Sequence, residues 1–134
     1  MLVVDTNILA YLLIAGDRTK EAQSLYERDA NWQSEAFLLI EFTNILATYQ
    51  RTGNLSSNQS ESLFNDAGAR MHNLITIPHI TALQTARRFM VSAYDARFLA
   101  TAEKLGAKLV TEDVKLRTAA PNLTQSLKDV LSGG

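Results

Sequence analysis

The sequence contains no cysteine, and only two prolines, two histidines and one tryptophan occur among its 134 residues. Without cysteine the chain can form neither disulfide bonds nor thiolate metal sites. No apolar stretch approaches the ~20 residues that a membrane-spanning helix needs. The N-terminus also lacks the basic segment and the longer apolar segment of a secretion signal. A cytoplasmic protein that does not enter the membrane is therefore expected.

The sequence also lacks a strong net charge, since 13 Lys and Arg nearly balance 14 Asp and Glu. A protein that holds nucleic acid through bulk charge is usually far more basic. An enzyme whose acidic pocket is offset by basic residues elsewhere is still compatible with this balance. The length and the hydrophobic content of 46% indicate one globular domain, assigned to residues 1–131, with residues 132–134 as a frayed tail.

Short apolar segments alternate with helical patterns along the chain. Strands are predicted at residues 2–5, 32–35, 74–78, 107–111 and 122–127. Helices are predicted at residues 7–15, 18–29, 37–52, 57–72, 80–91, 94–106 and 113–119. Strands that alternate with helices are typical of an α/β protein. We therefore expect a three-layer α/β/α sandwich with a central, mostly parallel sheet.

Two acidic residues follow predicted strands. Asp5 ends the apolar run Leu2-Val3-Val4, and Asp113 comes just after the strand that ends at Thr111, with Glu112 beside it. In an open parallel sheet, ligands bind outside the carboxyl ends of the strands. Asp5 and Asp113 are therefore expected at the same edge of the sheet.

Two further acids lie close to apolar faces of predicted helices. In the third helix the apolar stripe is predicted to be Leu38, Phe42, Ile45 and Tyr49, and Glu41 falls on its margin. Asp95 points along the stripe of the helix YDARFLATAEKLG from its first turn. Charged carboxylates rarely lie on buried faces without a partner. Glu41 and Asp95 are therefore candidate site residues.

Each acid also has a purely structural interpretation. Asp5 and Asp113 each precede a helix and could cap it, which is worth ~1 kcal/mol. Asp95 and Ser92 have the spacing of a capping box, and Glu41 could pair with an arginine. These alternatives remain open for each residue singly, although capping does not require an acid on an apolar face.

If the four acids converge, their mutual repulsion raises their pKa values unless a cation neutralises them. No histidine or cysteine accompanies them, so the candidate ligands are carboxylate oxygens. Such hard ligands suit Mg²⁺ or Mn²⁺ better than zinc. Carboxylate clusters of this kind hold one or two metal ions that activate water in phosphodiester cleavage.

Four segments, VVDTNILAYLL, LLIEFTNIL, YDARFLATAEKLGAKLVTEDVKL and PNLTQSL, resemble those of the PIN-domain ribonucleases. In size and arrangement the chain looks most like the VapC toxins of bacterial toxin–antitoxin pairs. The resemblance covers roughly residues 1–131. It is specific in the three acid-bearing segments, whereas between about residues 53 and 92 only the pattern of elements agrees.

The resemblance implies a role for each acid. The acidic quartet of the family falls on Asp5, Glu41, Asp95 and Asp113. The resemblance implies that the three aspartates bind Mg²⁺ or Mn²⁺, and that Glu41 helps to hold the metal directly or through water. Asn7 resembles a polar residue that steadies the site, and Thr111 resembles a hydroxyl beside the last acid. Glu112 occupies a variable position.

The implied reaction is metal-dependent endonucleolytic hydrolysis of RNA by a metal-activated water, which leaves a 3′-hydroxyl and a 5′-phosphate. The resemblance also implies a homodimer and a cognate antitoxin, received in a groove of the helices at 37–52 and 57–72. Near the predicted pocket, Lys115 and Arg117 are candidates for contacts with RNA phosphates. Trp32 is expected in the core, with a stacking platform for bases as its alternative.

Two other functional classes compete with a nuclease. A PIN-like domain without catalysis could serve as a binding or regulatory module, which the retention of all four acids disfavours. Receiver-type and haloacid-dehalogenase-like domains also place acids at strand ends. Phosphatases of the latter kind need a second aspartate two residues after the first, and position 7 is asparagine. The nuclease interpretation is therefore preferred.

Overall fold

Five short strands form one sheet in the computed structural model, which describes residues 1–133. The strands are β1 (Leu2–Val4), β2 (Trp32–Glu35), β3 (Leu74–Ile75), β4 (Leu109–Val110) and β5 (Thr124–Gln125). Their order is β3-β2-β1-β4-β5, and every neighbouring pair is parallel. The predicted sheet is therefore confirmed, and it is parallel throughout.

Eight helices flank the sheet within residues 1–133. They are α1 (Thr6–Leu13), α2 (Thr19–Arg28), α3 (Phe37–Arg51), α4 (Ser57–Arg70), α5 (His79–Phe89), α6 (Ala93–Leu105), α7 (Val114–Ala119) and α8 (Leu127–Ser132). Helix α6 packs on β1, β2 and β4 and also against α5, whereas α1 packs on α2, α3 and α4. This arrangement confirms the three-layer α/β/α sandwich. None of the helices in the described part of the chain is both long and apolar enough to cross a membrane.

Strand β1 lies at the centre of the sheet and explains the apolar start of the chain. Val3 and Val4 are fully buried, because β1 is covered on both faces and paired with β2 on one side and β4 on the other. The chain passes from the carboxyl ends of β1 and β4 directly into α1 and α7. Asp5 and Asp113, the residues that cap those two helices, therefore stand at the same edge of the sheet.

Several helix boundaries follow local signals in the sequence. Ser56 and Gln59 form the predicted capping box at the start of α4. Gly53 follows α3 and Gly106 ends α6, with φ values of 81° and 66°. Glycine reaches this left-handed region without the steric cost that a side chain imposes, so both helices end where the sequence predicts.

Three expectations need correction. The buried stripe of α3 consists of Leu38, Phe42 and Leu46, whereas Ile45 is only partly buried and Tyr49 is exposed, because the helix turns that side towards an open pocket. The strands predicted at 74–78, 107–111 and 122–127 pair over only two residues each. The last helix, α8, was not predicted, and it includes Ser132, one of the three residues assigned to the tail. Gly134, another of these, lies outside the described residues.

Candidate functional site

The four candidate acids line one open pocket with a volume of about 450 Å³. Asp5 follows β1, Glu41 lies on α3, Asp95 lies in the first turn of α6, and Asp113 caps α7. They thus arrive from four separate elements at the carboxyl edge of the sheet.

Asp5 is buried and is held on both carboxylate oxygens. Its Oδ1 accepts a hydrogen bond from the N–H of Ile8 at 3.3 Å, and its Oδ2 accepts one from the hydroxyl of Thr111. Burial raises the pKa of Asp5 to about 7, and the charges of Glu41 and Asp95 act in the same direction, whereas the two hydrogen bonds oppose the shift. Asp5 therefore both caps α1 and faces the pocket.

Thr111 joins two of the acidic positions. Besides donating to Asp5, its hydroxyl oxygen accepts a hydrogen bond from the N–H of Asp113 at 3.1 Å. Asp113 in turn caps α7 by accepting from the N–H of Leu116 at 3.2 Å. The hydroxyl predicted beside the last acid thus touches the first acid as well.

Glu41 is held by a residue that the sequence did not single out. The hydroxyl of Thr6 donates to its Oε1 at 2.6 Å. Partial burial raises the pKa of Glu41, and the charge of Asp95 adds to this, whereas the Thr6 hydrogen bond lowers it. Thr6 lies next to Asp5, but its partner is on another helix, so only the packing of α1 against α3 reveals the contact.

Asp95 lies in the first turn of α6, where Ser92 is the capping residue, and it lines the pocket. Its N–H donates to the hydroxyl of Ser92 at 3.0 Å, which is one of the two hydrogen bonds of the predicted capping box. Burial raises the pKa of the Asp95 carboxyl, and the charge of Asp113 raises it further. The capping interpretation is therefore correct for Asp5 and Asp113, which also line the pocket, whereas α6 is capped by the Ser92 side chain and not by the Asp95 carboxylate.

The supporting and basic candidates lie in different places. Asn7 lines the pocket, as does Asn44, which the sequence did not indicate. Arg117 does not line it, because its Nη1 donates to the carbonyl of Thr111 and to Glu112, each at 3.3 Å. Lys115 is exposed and does not line the pocket either. Contacts of Lys115 and Arg117 with RNA stay predictions.

Glu112 has a structural environment that sets it apart from the four acids. Its carboxylate accepts from Arg18 at 2.5 Å, from Arg117 at 3.3 Å and from the N–H of Leu127 at 2.9 Å. It therefore ties together the loop before α2, helix α7 and the start of α8, and it does not line the pocket.

Apolar and aromatic side chains form the rest of the pocket wall. Phe37, Ile40 and Ile45 come from α3, and Tyr94 and Phe98 come from α6. The pocket thus has a cluster of acidic residues on one side and largely uncharged residues on the other.

The chemistry of the pocket suits a hard divalent cation. It presents four carboxylates, and no lysine or arginine is among its lining residues. Repulsion among the acids contributes to the raised pKa values of Asp5, Glu41 and Asp95, and a cation would relieve it. Within residues 1–133, however, no three acidic or histidine side chains form a ready-made metal cluster. The fit therefore rests on the donor set and the charge of the pocket.

Comparisons with known proteins agree with this architecture. The family model of the PIN domain matches residues 2–121. Ribonuclease VapC3 of Pyrobaculum aerophilum is 26% identical over 127 residues, which span 91% of this chain and 96% of the relative.

Solved structures share the fold at lower sequence identity. PAE2754 from Pyrobaculum aerophilum superposes with a TM-score of 0.80 at 18% identity, over 98% of this chain and 93% of the other. FitAcB from Neisseria gonorrhoeae superposes with a TM-score of 0.71 at 14% sequence identity, over 96% of this chain and 99% of the other. VapBC2 from Rickettsia felis, in a structure with a promoter DNA fragment, superposes with a TM-score of 0.68 at 16% sequence identity, over 93% of this chain and 97% of the other.

Proposed function

The chain belongs to the PIN-domain family, and from this premise we propose that it is a metal-dependent endoribonuclease and the toxin of a toxin–antitoxin pair. The observation that carries the proposal is that carboxylates from four separate elements line one pocket at the carboxyl edge of the sheet. The likeness to a ribonuclease over most of both chains supports the choice of reaction.

Asp5, Asp95 and Asp113 are the proposed metal ligands, and Glu41 assists them. The metal, Mg²⁺ or Mn²⁺, supplies positive charge that activates water and stabilises the charge that develops on the phosphate. Thr111 holds the orientation of the Asp5 carboxylate, and Thr6 holds that of Glu41. Preorganised ligands of this kind reduce the reorganisation that the reaction requires.

Asn7 and Asn44 offer amide groups at the pocket wall, where they can donate hydrogen bonds to phosphate or sugar oxygens of RNA. Because amides are neutral, they can do this without competing for the cation site. Lys115 and Arg117 are proposed to contact phosphates farther along the RNA.

Cleavage of total cellular RNA by the purified protein tests the proposed reaction. Discrete fragments are expected with Mg²⁺ or Mn²⁺, and none with EDTA. Asp5→Asn and Asp95→Asn should abolish the fragments, whereas Glu61→Gln, which removes the same charge from an exposed position on α4, should not. If metal-loaded wild type cuts nothing and matches its aspartate variants, the chain is instead a catalytically silent PIN-like binding or regulatory module.

The proposed antitoxin would contact α3 and α4. An open cavity of about 320 Å³ lies between these helices, and Phe64, which is partly exposed, lines it together with Leu46 and Ala47. An amphipathic segment of an antitoxin could bury its apolar side chains there. Co-expression with the product of a neighbouring small gene should suppress RNA cleavage, and Phe64→Asp should weaken that suppression while cleavage by the isolated protein is unchanged.

The homodimer is also a proposal. Ile80 and Leu83 lie one turn apart on α5 and are both largely exposed, so they form an apolar patch suited to an interface. Light scattering should give the mass of two chains, and Leu83→Glu should give that of one. A cytoplasmic location is proposed because the RNA substrate is found there.

A further inference from the structure

The acidic pocket has an unusual charge for a site that receives a polyanion. None of its lining residues is lysine or arginine, and four are acidic. Nucleic-acid affinity normally comes largely from basic side chains that neutralise phosphates. A bound cation would offset only part of the negative charge here, so contacts with uncharged parts of the RNA are needed, beside the amide hydrogen bonds, for affinity close to the cleaved bond.

Tyr94 provides such a contact at the edge of the pocket. It directly precedes Asp95, lines the pocket and is 62% exposed. Its ring lies parallel to that of Phe37, with an angle of 6° between the planes and 5.2 Å between the centroids. Phe37 therefore covers one side of the Tyr94 ring, and the high exposure leaves the other side to solvent.

A buried network fixes the two helix starts that carry these rings. The carboxylate of Glu35, which is 2% exposed, accepts a hydrogen bond from the N–H of Phe37 at 2.6 Å. It also accepts one from Arg97 at 2.8 Å, and Arg97 donates to the carbonyl of Ile77 at 2.8 Å. Phe37 opens α3 and Arg97 lies in α6, so the stacked pair rests on a rigid support. A rigid aromatic surface loses little conformational entropy when a ligand binds.

We propose that Tyr94, backed by Phe37, is the platform on which an RNA base next to the cleaved phosphate stacks. The inference rests on the proposed ribonuclease function and adds a substrate-contacting residue to it. A base in a duplex is already stacked and paired, whereas a base in a single strand or loop can turn out onto an aromatic side chain. Tyr94 is therefore a specificity-determining residue that selects for a base able to turn out of its stack beside the cleaved phosphate.

Steady-state cleavage of a short single-stranded RNA, whose cut position is first mapped with wild type, tests the proposal. Stacking on one base is worth roughly ten- to hundredfold in affinity. Tyr94→Leu should therefore raise KM by that factor with little change in kcat, whereas Tyr94→Phe should stay within about twofold of wild type because it keeps the ring. Met90→Ala, which removes an exposed apolar side chain outside the pocket, is the matched control.

A second substrate separates stacking from a merely structural role. RNA that is abasic at one position beside the cut should raise the KM of wild type as much as Tyr94→Leu does, and combining the two changes should add nothing. Independent, multiplying effects would overturn the proposal, as would an unchanged KM for Tyr94→Leu. If Tyr94→Leu changes the mass measured by light scattering and its KM defect persists on abasic RNA, Tyr94 belongs to an interface between copies. That outcome would also overturn the proposal.

Binding measured without cleavage distinguishes the stacking proposal from the nuclease proposal. Among short single-stranded RNAs that carry 2-aminopurine at different positions, at least one should lose fluorescence when wild type binds, and not when Tyr94→Leu binds. If wild type quenches the probe but cuts no RNA, the platform stands and the nuclease proposal fails. If wild type cuts RNA but Tyr94→Leu quenches and cuts equally well, the platform fails and the nuclease stands. If wild type neither binds nor cuts, both are overturned.

Discussion

The hydroxyl of Thr111 donates a hydrogen bond to Oδ2 of Asp5, so the residue after β4 holds the residue after β1 across two neighbouring strands. Both side chains are buried, and the same hydroxyl accepts the N–H of Asp113. The contact therefore connects two of the proposed metal ligands before any metal binds.

Thr111→Val should destabilise the fold, because valine has a similar shape but cannot donate to the buried carboxylate. The loss of a hydrogen bond to a charged group costs about 1.5–3 kcal/mol. Urea unfolding at pH 8 with EDTA measures this cost, and Thr111→Ser should recover most of it. Equal stability of the valine and serine variants would show that the hydroxyl does not matter.

The metal-free protein should lose stability as the pH rises from 5 to 8. Burial raises the pKa of Asp5 to about 7, from an ordinary value near 3.8, so between these values the folded state binds more protons than the unfolded state. Stability therefore falls as the pH passes through the folded-state pKa. The expected loss from Asp5 alone is about 2–3 kcal/mol.

Urea unfolding in EDTA at several pH values measures this slope, with Asp5→Asn as the comparison. The variant should show a shallower slope and should be more stable than wild type at pH 8, because it has no charge to bury. Some slope should persist, since the pKa values of Glu41 and Asp95 are raised as well. A wild type that becomes more stable towards pH 8 would contradict the account.

Arg97→Met should be strongly destabilising. The change leaves the buried carboxylate of Glu35 without its cation, and breaking a buried pair on one side costs about 3–5 kcal/mol. Arg88→Met is the matched control, because Arg88 pairs with Glu103 on the surface and such pairs are worth at most about 1 kcal/mol. Thermal unfolding of both variants measures the difference, and equal effects would show that the Glu35 network does not support the helix starts.

The positions of the acids could be predicted because they depend on general rules. Parallel strands bring their carboxyl ends to one edge, which predicts where Asp5 and Asp113 lie. A helical period of 3.6 residues places Glu41 and Asp95 beside apolar stripes. These inferences need only the local sequence and the order of elements.

Contacts between elements could not be predicted in this way. The pairs Thr6–Glu41 and Phe37–Tyr94 join residues of different helices, and their contacts depend on how those helices pack. Trp32 is buried in the core, as expected, so its alternative role as a stacking platform is wrong. One missed element did have a local signal, since Ser126 and Asp129 form a capping box at the start of α8.

Calorimetric titration of Mn²⁺ into the purified protein tests the central claim, that the four acids form a metal site. Wild type should bind the ion, and Asp5→Asn and Asp95→Asn should each weaken binding by roughly tenfold or more. Glu112→Gln should bind like wild type, because Glu112 lies beside Asp113 in sequence but pairs with Arg18 and Arg117 away from the pocket. Equal binding by wild type and both aspartate variants, or no binding by wild type, would contradict the claim.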